Sequence, residues 1–243
     1  MGDNLLAQFQ DISLGNVPRF DFHLHSTWVD GKDTTSQMHS AAVERGLRCV
    51  LFSEHARKTS GEWFGRFADE IRALPSESCQ ALVGVETKVE DFSGALDTTE
   101  AIISKCDFVM ASVHRFPGEK GVVRGFADVN PDEAVETEFQ LAMAVLDNPS
   151  VDILGHPFGM SYRRFSRRPD EARFRKVIEK AALKDVAVEI NTHYHPSPWS
   201  LIQWCREAGA RISLGSNSHE TATVGQVIRI LEGSEPEWNP SEF

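Results

Sequence analysis

The amino-acid sequence predicts an α/β fold in which parallel strands alternate with helices and close into a barrel. Short β-branched or apolar runs alternate with stretches of helical periodicity along the chain, and about seven such strand–helix units can be counted. This alternation implies a parallel sheet, and this many units imply that the sheet closes. The 243 residues could also hold two modest domains, but no Gly/Ser/Pro-rich linker divides them. We therefore expect a single domain over residues 1–243.

The predicted strands are short runs that are rich in β-branched and other apolar residues. They cover residues 19–24, 48–53, 81–85, 108–113, 151–155, 186–190 and 211–215. Helical periodicity follows each of them, over residues 35–45, 63–74, 98–105, 131–146, 170–183, 199–207 and 219–231. Gly46 and Gly209 come just after helical stretches, where a left-handed cap residue is expected. The loosest composition lies in the loops 116–130 and 159–169.

Composition and charge exclude several classes of protein. Hydrophobic residues make up 41% and charged residues 25% of the chain, values typical of an ordinary globular protein. No run of apolar residues is long enough to cross a membrane, and the N-terminus does not resemble a signal peptide. The four cysteines form no Cys-x-x-Cys pair, so neither a cysteine zinc site nor a disulfide framework is indicated. We expect a cytoplasmic protein.

The charge balance argues against binding to the nucleic-acid backbone. A formal net charge of −11 opposes loose, sequence-independent binding, so we expect a nucleic acid only as a hydrolysed substrate. The one dense basic run contains Arg163, Arg164, Arg167 and Arg168. It could be a solvated loop face or a local phosphate site.

Histidines and a glutamate follow the predicted strands at their carboxyl ends. His23 and His25 close the first strand. The other strands are followed, in order along the chain, by His55 (second), Glu86 (third), His114 (fourth), His156 (fifth) and His219 (seventh). The carboxyl ends of parallel barrel strands share one face, so these side chains should converge. Buried polar groups without partners would be costly at so many strand ends, and a metal centre explains them better than packing does.

His23 and His25 also have the spacing of a metal-binding pair. One residue separates them, so both side chains should point to the same side of an extended strand. Two imidazoles placed in this way can bind one cation. A single His-x-His pair occurs by chance, and the prediction depends on its combination with the other strand ends.

These segments together resemble the polymerase and histidinol phosphatase (PHP) superfamily. The matching segments are Asp21-Phe-His-Leu-His25, Ser53-Glu-His55, Gly84-Val-Glu86, Ser112-Val-His114, Gly155-His156-Pro and Gly215-Ser-Asn-Ser-His219, in the family's order. The resemblance covers nearly the whole chain. It implies a distorted seven-stranded (βα)7 TIM-like barrel, up to three metal ions and hydrolysis of phosphate esters.

The resemblance also implies which residues bind the metals. One metal would be bound by His23, His25, Glu86 and residue 217, and a second by Glu86, His114 and His156. A third would use His55, His219 and Asp30, the best candidate in a loop whose length varies. Glu86 would bridge the first two ions through its two oxygens. Mixed nitrogen and oxygen ligands suit Zn²⁺, Mn²⁺ or Fe²⁺, so two or three of these divalent ions are the expected cofactors.

Asn217 departs from the family pattern, in which an aspartate is usual at this position. An amide oxygen can bind a metal but brings no negative charge. Three interpretations remain open: an active enzyme with a neutral ligand, a weakened first metal site, or an inactivating substitution. Glu54, which precedes His55 in the sequence, is expected to accept a hydrogen bond from a ligating histidine rather than to bind a metal.

The expected chemistry is attack on a phosphate ester by metal-bound hydroxide. Clustered cations lower the pKa of a shared water and hold the phosphoryl oxygens, so Glu86 would be central to catalysis. Arg57 and Arg115 lie where a guanidinium could hold phosphate, with Arg115 a further catalytic candidate, although either could instead be a solvated loop arginine. His193 and His195 could contact substrate, with His193 a candidate for its phosphate, or they could belong to a histidine-rich loop without a special role. His39 is expected to be an ordinary surface or packing residue.

We expect a small phosphomonoester as the substrate, as for a histidinol phosphatase. The alternatives are a phosphodiesterase or exonuclease of the same superfamily and a metal-stabilised binding module without turnover.

Overall fold

The computed structural model describes residue 6, residues 12–118, residues 122–233 and residue 235. Within these residues a parallel sheet of seven strands has the order β1-β2-β3-β4-β7-β8-β9. Its strands are β1 (Phe20–Leu24), β2 (Cys49–His55), β3 (Gln80–Lys88), β4 (Phe108–Ser112), β7 (Ile153–Gly155), β8 (Ala187–Asn191) and β9 (Ile212–Gly215). Two further short strands, β5 (Phe116–Pro117) and β6 (Val123–Arg124), form a separate antiparallel pair.

The barrel is nearly closed by a short connection between β1 and the segment after β9. Leu24 forms an isolated parallel bridge with Ser218, whose amide donates to the carbonyl of His23 over 3.0 Å. The buried carboxylate of Asp21 strengthens this seam because it accepts hydrogen bonds from the amides of Ser216 (2.9 Å) and Gly225 (2.7 Å). Asp21, the first residue of the recognised motif, therefore joins the first strand to the last.

The helices lie between the strands, and three of the described helices begin at a side-chain cap. The helices are α1 (Thr35–Glu44), α2 (Gly61–Arg72), α3 (Glu100–Ile103), α4 (Pro131–Val145), α5 (Gly159–Arg163), α6 (Glu171–Lys184), α7 (Pro198–Ala208) and α8 (Gln226–Leu231). Thr34 forms a capping box with Gln37, and Asn130 and Asp170 cap α4 and α6. Gly46 and Gly209 have positive φ values of 69° and 67°, as predicted for the residues that end helices.

The seven predicted strands are all present, with boundaries within three residues of those expected. The last predicted helix is wrong in its first half, where the chain forms a 3₁₀ turn over Thr221–Thr223 and α8 begins only at Gln226. Gly225 interrupts the helix with a φ of 69°, and its amide is used by Asp21. The β5–β6 pair and α5 were not predicted, and they lie in the two loops of loosest composition. No helix of the described residues is both long and apolar enough to cross a membrane.

The strands of the parallel sheet are buried on both faces, as expected for a sheet surrounded by helices. Every residue of β1, β4, β7, β8 and β9 is buried. Strand β1 contains an irregularity between Asp21 and Leu24, where it has one residue more than the paired segment of β2. Extra residues of this kind redirect side chains and are common beside active sites. His23 lies in this stretch.

Candidate metal centre

Eight of the predicted ligands come together in three overlapping groups at the carboxyl ends of the strands. The groups are His23, Glu86 and His156; His55, Glu86 and His114; and His25, Asp30, His55 and His219. Within each group the possible ligand atoms lie within 4.8 Å of one another. The convergence expected from the strand ends is therefore present in the fold.

Glu86 lies at the centre of the cluster, and its two oxygens face different histidines. Oε1 lies 2.8 Å from Nε2 of His156 and 3.3 Å from Nε2 of His114. Oε2 lies 3.4 Å from Nε2 of His23 and 2.9 Å from Nδ1 of His55. Burial favours the protonated carboxyl, but the charges of the surrounding histidines, His114 first, hold the pKa of Glu86 well below its ordinary value.

Several ring nitrogens approach each other without a group between them. Nε2 of His23 lies 3.1 Å from Nε2 of His25, and Nε2 of His114 lies 3.1 Å from Nε2 of His156. Burial lowers the pKa of His114 to about 3, and burial together with the charge of His55 lowers that of His25 well below its ordinary value. Neutral imidazoles are the form that binds metals.

Unpaired buried atoms give a further test of whether these residues fit a metal. His25 Nδ1, His55 Nδ1 and Glu86 Oε2 are buried without a hydrogen-bond partner, although the last two lie only 2.9 Å apart. Each such atom costs about 1–3 kcal/mol unless something satisfies it. Cations bound among these nitrogen and oxygen donors would do so, and the donor set suits Zn²⁺, Mn²⁺ or Fe²⁺. The residues therefore fit a metal centre.

Glu189, on β8, orients His23 and was not predicted as a site residue. Its Oε1 accepts from Nδ1 of His23 over 2.7 Å, and its Oε2 accepts from the amide of His156 over 2.6 Å. Burial opposes a charge on His23, but Glu189 and then Glu86 raise its pKa well above the ordinary value. Because Nδ1 of His23 is occupied by Glu189, Nε2 is the atom that faces the cluster. A carboxylate behind a ligating histidine is a common support of metal sites.

The backbone at His156 is unusual and is held by its surroundings. His156 has a φ of 22° and Phe158 a φ of 64°, and residues other than glycine rarely adopt positive values of this angle. The ring of Tyr194 lies 4.2 Å from that of His156, centroid to centroid. A Cβ at Gly159 would lie 2.7 Å from Nδ1 of His156 and 3.0 Å from Tyr194. Glycine is therefore needed at position 159 for this close approach.

The two histidines after β8 have different surroundings. His195 is buried: its Nδ1 accepts from the amide of Asn191 over 3.1 Å, and its Nε2 donates to the carbonyl of Pro157 over 3.0 Å. It therefore connects this loop to the one that carries His156. His193 is exposed, and its Nδ1 lies 3.1 Å from Nη2 of Arg163. His39 is buried and pairs with the carbonyl of Cys79, so it serves packing as predicted.

The outer group lies around Asp30, whose loop is anchored to the barrel. Asp30 lies 3.5 Å from Nε2 of His55 and 3.6 Å from Nε2 of His219. Nδ1 of His219 donates to the carbonyl of Asn217 over 2.9 Å, so Nε2 is the ring nitrogen that faces the carboxylate.

The loop before Asp30 is held by backbone contacts and by Glu54. The amide of Gly31 donates to the carbonyl of Ser26 over 2.9 Å, and a Cβ at Gly31 would lie 2.6 Å from Cα of Ser26. Glu54 accepts hydrogen bonds from the amide and hydroxyl of Ser26 at 2.6 and 2.5 Å. Its other oxygen lies 3.9 Å from Nδ1 of His25, too far for a hydrogen bond. Glu54 therefore anchors the loop with one oxygen, and its support of a ligating histidine with the other stays a prediction.

Asn217 lies in the turn between β9 and His219. It is partly exposed and has a φ of 51°, a left-handed conformation that asparagine and aspartate tolerate better than most residues. Its backbone carbonyl orients His219. A metal-binding role for its side chain stays a prediction.

Two cavities flank the cluster and share two of their lining residues, Lys88 and His114. The first, which we call the tryptophan lobe, has a volume of about 510 Å³ and is also lined by Trp28, Val29, Asp30, His55, Arg57, Ser60 and Trp63. The second, which we call the arginine lobe, has a volume of about 650 Å³ and is also lined by Phe126, Met160, Arg163, Arg164, His193 and Tyr194. Both volumes are typical of small-molecule sites.

The residues predicted to hold phosphate are divided among these surroundings. Arg57 lines the tryptophan lobe and His193 the arginine lobe. Arg115 instead lies 3.3 Å from Asp97 and 3.7 Å from Glu90, and its catalytic and phosphate-binding roles stay predictions. Lys88 was missed. It lies two residues after Glu86 on β3, and this spacing directs both side chains to the same side of the strand.

Comparisons with known proteins bear on the family and the fold of this chain. The model of the PHP domain family matches residues 21–193. A probable phosphatase of Clostridium novyi (strain NT) is 30% identical over 224 residues, which cover 87% of this chain and 83% of the relative. The DNA polymerase/3'-5' exonuclease PolX of Bacillus subtilis (strain 168) is 27% identical over 244 residues, covering 95% of this chain and 39% of that protein.

A solved structure confirms the architecture. It is a Listeria monocytogenes protein described as a candidate histidinol phosphatase, and it superposes with a TM-score of 0.63 at 16% identity. The match covers 85% of this chain and 97% of the Listeria protein. Identity this low supports the fold alone, and the predicted seven-stranded TIM-like barrel is confirmed.

Proposed function

The chain belongs to the PHP domain family and is a phosphoesterase, and from that premise we propose that it hydrolyses a small phosphomonoester with two or three divalent cations. The observation that carries this proposal is Glu86, a buried carboxylate whose two oxygens face separate sets of histidines. An arrangement of this kind suits a carboxylate that bridges two cations. That residues 1–243 form one cytoplasmic domain stays a prediction.

The distances support the ligand sets that the family resemblance implies. His114 and His156 face Oε1 of Glu86, whereas His23 and His25 lie nearer Oε2. Asp30, His55 and His219 form the outer set. When bound, such cations lower the pKa of a water molecule and neutralise phosphoryl oxygens.

The side chains of the chain have separable tasks in this proposal. Glu189 fixes the ring of His23, and Glu86 keeps negative charge at the centre. Lys88, at the junction of the two lobes, is placed to pair with a phosphate oxygen as a point charge. Arg57 and His193 would contact the substrate from opposite sides.

A second candidate function is hydrolysis of phosphodiesters. Two observations favour it: cavities lie on both sides of Lys88 and His114, and the chain is similar to a protein named as a 3'-5' exonuclease. The net charge of −11 favours a small substrate over a long nucleic acid. Rates measured with p-nitrophenyl phosphate and with bis(p-nitrophenyl) phosphate on one sample separate the two functions.

Metal content and phosphatase rate, measured on the same purified sample, test the main proposal. Metal-free protein is reconstituted separately with Zn²⁺, Mn²⁺ and Fe²⁺, and elemental analysis is expected to find at least about two equivalents per chain. Activity should rise with metal content and disappear on chelation.

A matched pair of histidine variants provides the control. His156→Gln should lose metal and activity, whereas His39→Gln should keep both, because His39 is an equally buried histidine outside the cluster. Metal content that never exceeds about one equivalent would contradict the multinuclear centre. Fully loaded protein without turnover would support a non-catalytic binding module instead.

A further inference from the structure

The arginine lobe carries a positive charge in a chain that is strongly negative. Among the residues that the structure describes, the eight that line it include Lys88, Arg163 and Arg164 but no carboxylate. The whole chain has 36 acidic and 25 basic residues, so a described lining with three cations and no carboxylate differs from the average composition of the chain. Such a local field attracts anions.

The two arginines are held in place by built contacts. Nη2 of Arg163 lies 3.1 and 3.2 Å from the two ring nitrogens of His193, and the guanidinium of Arg164 lies 4.0 Å from the centre of the Phe126 ring. An arginine packed on an aromatic ring loses little freedom when it binds an anion. Both side chains therefore stand at the lobe in defined positions.

The helix that presents these arginines is anchored from beneath by a buried carboxylate. Arg163 ends α5, and Arg164 follows it. Glu138, on α4, accepts hydrogen bonds from the amides of Met160 (3.0 Å) and Ser161 (2.6 Å) in the first turn of α5. The short helix therefore has a fixed orientation over the lobe.

The arginine lobe offers more positive charge than one phosphate at the cluster would need. The scissile phosphate would lie at the metal ligands and Lys88, whereas Arg163 and Arg164 line the same cavity and contact His193 and Phe126 rather than the metal ligands. We propose that the substrate carries a second anionic group, a carboxylate or a phosphate, which Arg163 and Arg164 bind while the scissile phosphate lies at the metal centre. This inference rests on the proposed phosphomonoesterase function.

A series of alkyl phosphates with a single scissile phosphate tests the inference. The far end of the chain carries a neutral carboxamide, a carboxylate or a phosphonate, and each end group is examined at increasing chain length. With metal-loaded enzyme, kcat/KM for the best anionic member should exceed that of the carboxamide of equal length by about tenfold or more. The preference should weaken as salt is added. The better of the carboxylate and the phosphonate identifies the second anion.

Variants of the basic run locate the effect. Arg163→Gln and Arg164→Gln should each reduce the ratio of kcat/KM for the anionic and neutral members towards one. Arg167→Gln is the matched control, because Arg167 belongs to the same run but pairs with Asp132 over 2.6 Å on the surface, and it should keep the ratio. Both kcat/KM values are measured on the same sample of each variant, so a smaller fraction of folded enzyme lowers both equally and leaves their ratio unchanged.

The outcomes separate this inference from the proposed function. Equal rates with anionic and neutral members would overturn the inference and leave the phosphomonoesterase intact. A preference that persists in both lobe variants, or that falls equally in Arg167→Gln, would overturn it as well. Failure to hydrolyse any member would refute the proposed function, and the inference with it.

Discussion

The candidate metal centre has a buried floor and an exposed rim, and the two are built differently. The floor consists of His23, Glu86 and His156, each 2% exposed or less. The rim consists of Asp30, His55 and His219, whose side chains are 47%, 22% and 32% exposed. The floor comes from strand ends that the sheet itself aligns, whereas the rim combines one strand end, His55 on β2, with Asp30 and His219 on loops.

This difference separates affinity from access. Buried ligands that are already oriented lose little conformational entropy when a cation binds. Water also screens their electrostatic attraction to the cation only weakly. Exposed ligands on a loop lose more conformational entropy when a cation orders them. They also face the solvent from which a substrate arrives. We therefore expect the floor to bind its cations tightly and the rim to exchange its cation readily.

Glu86→Gln should have the largest effect because it removes the charge at the centre of the floor while conserving volume. Hydrolysis is expected to fall by a factor on the order of 10³, with the fold retained. Steady-state rates, elemental analysis and circular dichroism measure the three quantities on one sample. Near-normal turnover by a folded, metal-loaded variant would remove Glu86 from the central role.

Glu189→Gln tests whether the floor depends on support from behind its ligands. The amide would hold His23 Nδ1 without a charge, and metal affinity of the floor is expected to fall by about 10–100-fold. Competition with a chelator of known affinity measures this change. Gln37→Glu, which alters only an exposed capping side chain, should leave the affinity as it is. Unchanged affinity in Glu189→Gln would mean that the strands alone orient His23.

The floor could largely be predicted from the sequence, whereas its support could not. A histidine or glutamate at the end of an apolar strand is visible in the chain, and parallel strand ends must meet on one face. Glu189 gives a weaker signal because it lies inside a strand, although a glutamate in an otherwise buried run such as Ala187–Asn191 needs a partner. The partner's identity depends on the neighbour relations of strands that are distant in sequence.

The surroundings of the rim were less predictable for a related reason. The anchoring of the Asp30 loop by Glu54, and the placement of Lys88 between two cavities, depend on how loops of different length pack together. The interruption of the last helix at Gly225 likewise follows from the closure of the barrel by Asp21. The local periodicity of the sequence does not indicate any of these contacts, because they join segments that are distant along the chain.

Asp30→Asn should weaken the rim alone. Loss of the carboxylate between His55 and His219 is expected to lower affinity for the outer cation by about tenfold, a modest change because the site is exposed. Calorimetric titration of metal-free protein should show the weakest binding phase shifted and the tighter phases retained. If all phases shifted together, the distinction between floor and rim would be lost.

Asn217→Asp is expected to have the smallest effect, and it probes the junction of the two regions. The left-handed backbone at this position suits both side chains, so a change must come from charge rather than from conformation. Because residue 217 is partly exposed, one added charge should raise affinity for the first cation by only about fivefold. Phosphatase activity should rise with it, most clearly at limiting metal concentration. An unchanged titration and rate would mean that the first cation does not depend on this position. A fall in activity would mean that the neutral amide is adapted to this site, since a stronger ligand would then hold the cation in a less reactive state.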